Sequence, residues 1–155
     1  MRNYACLTPE GTSDVLFDEV DAYVFIEEKM RDFFKKRSFK EVQTPGLEYY
    51  DVFTATRKYL AAETMYKLSD HQGRLIVVRP DSTIPIARLV ASKLASHSTP
   101  LRLYYNQSVF RVSRRFDGMS HEIRQMGVEL IGAGGLKPDL EILLMACEVF
   151  DELSV

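Results

Sequence analysis

Five side chains in this sequence have the types to hold a small charged ligand. Asp81 and Glu129 are carboxylates, Thr83 and Gln125 are neutral donors and acceptors, and Arg111 is a guanidinium. As a set they suit an amino acid, since carboxylates bind an ammonium and an Arg fork takes a carboxylate or phosphate in a bidentate bond. The stretch FRVSRRFDGMSHEIRQMGVE (110–129), which carries three of them, offers no obvious nucleophile. Each residue also has an ordinary role: Asp81 and Thr83 as helix caps, Glu129 as a solvated strand residue, Arg111 as a surface ion-pair partner. His71, His97 and His121 stand in polar loop stretches without ligand spacing, so neither a metal nor another cofactor is expected.

Two strands and a helix start must position these groups. LRLYYNQSVFRV (101–112) and HEIRQMGVELIG (121–132) read as strands, and residues 113–121 connect them in a loop longer than the usual hairpin. In the second strand Ile123, Gln125, Gly127, Glu129 and Ile131 share one face, with Met126, Val128 and Leu130 on the core side. The amide and carboxylate are then about 13 Å apart along the strand, and Gly127 leaves a gap in which a ligand reaches the backbone. On the preceding strand Tyr105, Gln107, Val109 and Arg111 share a face. RPDST (79–83) adds Asp81 and Thr83 where a strand gives way to a helix, a place that favours anions.

The remaining elements frame that centre. Residues 14–37 carry apolar side chains at Leu16, Val20, Tyr23, Ile26, Met30 and Phe33, which predicts a helix capped by Thr12 or Ser13. It would span roughly 36 Å, long enough for part of it to pack on another subunit. EVQTPGLEYYDVF places Pro45 at a strand end or edge. MYKLS (65–69) and RLIVVR (74–79) flank DHQG as a hairpin, and Ser82 or Thr83 caps a helix with Pro85 in its first turn and Ile86, Leu89, Val90 and Leu94 buried. The chain closes on a helix with Asp139 as N-cap and Leu140, Leu143, Leu144 and Val149 facing inward. Strands joined by hairpins and covered by helices make an α+β layout with an antiparallel sheet.

Composition sets the outer bounds. At 155 residues the chain reads as a single domain, and 46% hydrophobic with 27% charged residues is ordinary for a globular protein. Twenty basic against 22 acidic residues do not support a broad nucleic-acid footprint. Cys6 and Cys147 lack CxxC spacing, which fits a reducing compartment, and no apolar run marks a signal peptide or membrane span, so a cytoplasmic location is expected.

The residues above resemble the histidyl-tRNA synthetase-like catalytic domain of class II aminoacyl-tRNA synthetases over nearly the whole chain. Thr8 to Thr12 match a TPEGT-like opening, and the following helix and the strand with Pro45 match motif 1, the dimer interface of that family. Phe110 and Arg111 match Phe-Arg-x-Glu of motif 2. Gln125, Gly127 and Glu129 match the Gln-x-Gly-x-Glu that helps bind histidine, and RPDST stands for RPEGT, with Asp81 and Thr83 in the amino-acid pocket. The resemblance therefore implies Asp81, Thr83, Arg111, Gln125 and Glu129 as ligand residues. It departs at positions that handle ATP. Ser113 replaces the motif 2 Glu, and Met119 and His121 replace two arginines, with Arg114 and Arg115 elsewhere in the loop. Losing those charges weakens activation of an amino acid.

RPDSTIPIAR, MYKL and LRLYYNQSVFR look more like the regulatory-subunit family of ATP phosphoribosyltransferase, a synthetase paralogue that has lost aminoacylation. That resemblance implies no catalytic residues, no cofactor and no activity of its own. It also implies assembly with the short-form catalytic subunit in the first step of histidine biosynthesis, histidine as a ligand, a homodimer or higher hetero-oligomer, and no call for tRNA. The chain is then expected to be the N-terminal part of a longer family domain, since motif 3 matches no position here. The alternative is the N-terminal part of the catalytic domain of a histidyl-tRNA synthetase.

Overall fold

The computed structural model describes residues 4–54, 60–112 and 120–154, which fall into two compact units. The first comprises the described residues up to Val15, Thr44–Ser92 and Gln107–Gln125; the second comprises Leu16–Gln43, Lys93–Asn106 and the described residues from Met126. Among the described residues the strands and α-helices are α1 (Asp18–Lys36), β1 (Lys40–Glu41), β2 (Leu47–Tyr49), α2 (Tyr50–Thr54), β3 (Lys67–Ser69), β4 (Leu75–Val78), α3 (Thr83–Leu89), β5 (Leu101–Phe110), β6 (Glu122–Ile131) and α4 (Leu136–Leu153). A π-helical turn, Val90–Leu94, continues α3. Two three-stranded sheets result, ordered β1-β5-β6 and β2-β4-β3. The layout is α+β, as expected.

The first unit is built on the β2-β4-β3 sheet, antiparallel throughout, with Leu68 opposite Ile76 and Glu48 opposite Val77. The predicted hairpin is present. Asp70 closes its turn by accepting hydrogen bonds from the amides of Gln72 (2.8 Å) and Arg74 (2.9 Å), and Gly73 adopts the positive φ (76°) that the tight reversal requires. Phe53, Met65 and Val77 form this unit's core, with Tyr50, Val52, Leu60 and Ile84 against it. The helix expected after RPDST is α3. Pro85 and Ile86 are buried, whereas Leu89, Val90 and Leu94 are only half-buried.

In the second unit Met30, Phe33 and Phe34 of α1 meet Phe39, Tyr104 and Met145. Helix α1 ends in a Schellman arrangement: Ser38 takes the left-handed conformation (φ 64°), its amide reaches Lys35 O, and the amide of buried Phe39 reaches Phe34 O. The start of α1 differs from expectation. It begins at Asp18 after Phe17 (φ 47°) with no side-chain cap, four residues later than expected, and Thr12 lies in a turn of its own with its hydroxyl on Pro9 O (2.7 Å). Its amino-terminal half leaves Phe17, Val20, Val24, Phe25 and Ile26 exposed.

Two further expectations are corrected. In α4, Val149 does pack inward together with Ile142, Met145 and Leu153, but Leu140, Leu143 and Leu144 are exposed. The helix carries two apolar stripes of equal period, and only the fit to Phe33 and Phe34 selects one. Gly135 (φ 107°) occupies the cap position, and Asp139 lies within the first turn. Strand β1 pairs parallel with β5, Lys40 opposite Leu103, so that sheet is not wholly antiparallel. A two-residue strand ahead of a long break has no local signal for its partner. Among the described residues no helix is long and apolar enough to cross a membrane.

Candidate functional site

The RPDST segment is held from below by Arg79. This residue is only 6% exposed, and its guanidinium donates to Ser108 O (2.6 and 3.1 Å), Thr44 O (2.8 Å) and Pro45 O (3.1 Å). Burial pulls its pKa down, and the charge of Glu48 partly offsets this. Its backbone is engaged as well, the amide on Gly46 O and the carbonyl accepting from Phe110 N, both at 2.8 Å. The chain therefore leaves β4 along a fixed path into Pro80 and Asp81.

Asp81 and Arg111, chosen from the sequence, come together. One carboxylate oxygen, Oδ1, accepts the Ile84 amide (3.2 Å), so of the capping candidates Asp81, Ser82 and Thr83 it is Asp81 that caps α3. The other, Oδ2, lies 3.7 Å from Arg111 Nη2. Arg111 Nε donates to Pro80 O at 2.8 Å, which fixes the plane of the guanidinium beside Asp81. Because 3.7 Å is too long for a hydrogen bond, the pair is loose, and a ligand carboxylate can compete for the fork. Thr83 opens α3 and is exposed. Gln125, in the same unit, has its Oε1 buried and, among the described residues, without a hydrogen-bond partner. A buried orphan acceptor is costly, and a ligand N–H supplies what it lacks.

Glu129 belongs to the second unit, where it is half-buried on β6 and has a partner. The gap expected over Gly127 is filled: a Cβ built there would meet the Tyr105 hydroxyl at 2.5 Å. The glycine admits a tyrosine from the same unit, and its backbone is covered, not open. Tyr105 is thus a residue of that face that alternation placed but chemistry did not single out.

Sequence reading also missed a pair. Tyr66 Oη and His121 Nδ1 lie 2.6 Å apart, the His121 amide donates to Gly11 O (2.6 Å), and its carbonyl accepts from Arg111 N (2.8 Å). The His121 ring lies where a Cβ on Gly11 would be, so only glycine fits there. His121 thereby joins the loop of Gly11 to the segment just after β5. Ser113, Arg114, Arg115 and Met119 lie outside the described residues. Among the described residues no three His, Cys, Asp or Glu side chains gather as metal ligands, and Cys6 and Cys147 are free and exposed. A groove of about 370 Å³ on α4, lined by Arg37, Leu140, Leu144 and Met145 among others, contains none of the candidate residues.

Comparison with known proteins fits this geometry to a family. The family model described as histidyl-tRNA synthetase matches residues 11–155. The ATP phosphoribosyltransferase regulatory subunit of Clostridium novyi is 40% identical over 96% of this chain, and that of Clostridium kluyveri is 43% identical over 94%. The chain spans only 35 and 37% of the length of these curated relatives. Among solved structures, an ATP phosphoribosyltransferase regulatory subunit/histidyl-tRNA synthetase from Bacillus halodurans superposes with a TM-score of 0.88 at 33% identity, over 97% of this chain and 39% of that one. Apo S. aureus histidyl-tRNA synthetase gives 0.78 at 28% identity, over 94% of this chain and 34% of that one. The chain belongs to the histidyl-tRNA synthetase family, with the class II fold of those structures.

Proposed function

We propose that this chain is part of a noncatalytic regulatory subunit of ATP phosphoribosyltransferase, which acts in the first step of histidine biosynthesis, binds the short-form catalytic subunit and takes histidine as a ligand. The observation that carries this reading is the shared name of the relatives that are 40 and 43% identical across nearly the whole chain. The departures from the synthetase motifs at Ser113, Met119 and His121 favour the same side, because they remove charge where adenylate chemistry needs it. In the first unit Asp81, Thr83, Arg111 and Gln125 are the proposed ligand groups. The Asp81–Arg111 pair and the orphan Oε1 of Gln125 support them. Glu129 is proposed on the resemblance alone. The chain is further proposed to be one synthetase-like domain, the N-terminal part of a longer family domain, and to act in the cytoplasm as a homodimer or within a hetero-oligomer.

The test uses the protein mixed with its cognate catalytic subunit. Phosphoribosyl-ATP formation changes on mixing, while histidine-dependent exchange of pyrophosphate into ATP stays at background. Robust exchange would sink the noncatalytic reading in favour of the second one, the N-terminal part of a histidyl-tRNA synthetase catalytic domain. That alternative is supported by the description of the family model and by the S. aureus structure. Calorimetry with histidine separates both from a dimerising scaffold that binds no ligand: binding that Glu129→Ala or Asp81→Ala abolishes argues against the scaffold.

A further inference from the structure

Ser82 lies between two proposed ligand residues, Asp81 and Thr83, and is completely buried. It holds the N-cap position of α3 without using its hydroxyl as a cap; Asp81 does that instead. The Ser82 hydroxyl faces Gln107 of β5, which is 7% exposed, and Gln107 Nε2 donates to it at 2.9 Å. The same Nε2 reaches Thr44 Oγ1 (3.2 Å), and Gln107 Oε1 accepts the Thr44 amide (3.3 Å). Thr44 is itself buried. Because the Thr44 N–H can only donate, it fixes which end of the Gln107 amide is oxygen, and Nε2 must then face Ser82. Both hydrogens on Nε2 have partners, so the amide is locked in one orientation and one place.

This arrangement is more than a satisfied core. Helix α3 passes directly into the π-helical turn Val90–Leu94, and at its start the Ser82 side chain makes no capping hydrogen bond. Arg79 and Arg111 fix the chain up to Pro80 through carbonyl contacts, and the Ser82 carbonyl accepts the Ile86 amide (3.1 Å). The Gln107 amide anchors the hydroxyl at the point between those constraints. We infer that Gln107 is a positioning residue, which through the Ser82 hydroxyl sets where Asp81 and Thr83 stand relative to Arg111. The inference rests on the amino-acid reading of Asp81 and Thr83 given above.

The experiment compares the complete protein with Gln107→Leu, Ser82→Ala and the double variant. Hydrogen exchange is read at the Ile84 amide, which Asp81 caps, and at the Val78 amide of β4, which bonds Tyr66 O just ahead of β3. Each single variant speeds exchange at Ile84 by about tenfold, leaves Val78 within about twofold, and weakens histidine binding about tenfold; the double variant is no worse than either single. Equal acceleration at Ile84 and Val78 means that Gln107 only stabilises the unit, and overturns the inference. Additive effects in the double variant overturn it as well, since the two residues would then act separately. If the unaltered protein binds no histidine, the ligand reading falls, and exchange at Ile84 still decides the role of Gln107.

Discussion

Asp70 concentrates a whole turn on one carboxylate. It accepts the Arg74 and Gln72 amides and pairs with the Arg74 side chain at 2.7 Å. The Arg74 amide bond is the leading cause that holds its pKa below the ordinary Asp value, with the Arg74 side chain and the Gln72 amide adding to it against a desolvation penalty. A lowered folded pKa means that the turn's contribution is complete above the unfolded value of about 3.9 and is lost as pH falls through the lower folded value. Asp70→Ala therefore melts below the parent protein at neutral pH, and the gap closes as pH drops below about 4. NMR titration of the Asp70 carboxyl gives the same answer directly; a midpoint at or above 3.9 would refute the account. At this scale part of the candidate set was readable. Asp81 was picked out by type and its place ahead of a helix, Arg111 by type and alternation along a strand, and the two side chains lie 3.7 Å apart. Tyr66 with His121, and Gln107 with Ser82, were not readable, because partners separated by 55 and 25 residues leave no local pattern.

Elements were legible where their signals are local. The hairpin at Asp70–Gly73 follows from turn chemistry, and β5 and β6 follow from alternation, within two residues of the predicted ends. The start of α1 and the inward face of α4 were not, since α1 starts at Asp18 without any side-chain cap to mark it and the face of α4 depends on which of two apolar stripes finds aromatic partners. A further tie between elements was invisible in the sequence: Arg88 of α3 reaches Glu48 of β2 with two hydrogen bonds, 2.9 Å from Nε and 2.5 Å from Nη2. The Glu48 side chain is only 6% exposed, so removing its partner strands a buried carboxylate. Arg88→Met is expected to cost about 2 to 3 kcal/mol, less than a fully buried pair because 32% of the Arg88 side chain is exposed. Urea denaturation measures it, and Arg88→Met in a Glu48→Gln background should cost markedly less. An equal cost in both backgrounds would show that Arg88 acts without Glu48.

At the scale of the whole molecule, the proposed dimer makes a demand on α1 that its sequence already hints at. A helix exposed to water on its own keeps charged residues outward, yet Val20, Val24, Phe25 and Ile26 are between 36 and 57% exposed, and Phe17 just ahead of the helix is 80% exposed. Phe17, Val20 and Val24 follow the three-and-four spacing of a single helical stripe, whereas Met30, Phe33 and Phe34 at the other end meet the unit's own core. One end of the helix is therefore packed in its unit's core, while apolar side chains towards the other end are exposed. If a second copy covers the stripe, a carboxylate placed in it must be buried unpaired on association, and that penalty falls on the dimer and spares the unit's fold. Val20→Glu with Val24→Glu is expected to weaken self-association at least about tenfold in sedimentation equilibrium, while the melting temperature measured at concentrations where the protein is monomeric shifts little. Unchanged association would remove α1 from the interface and leave the dimer proposal to find another seam. A melting temperature that collapses in the dilute monomer would place the stripe inside the fold.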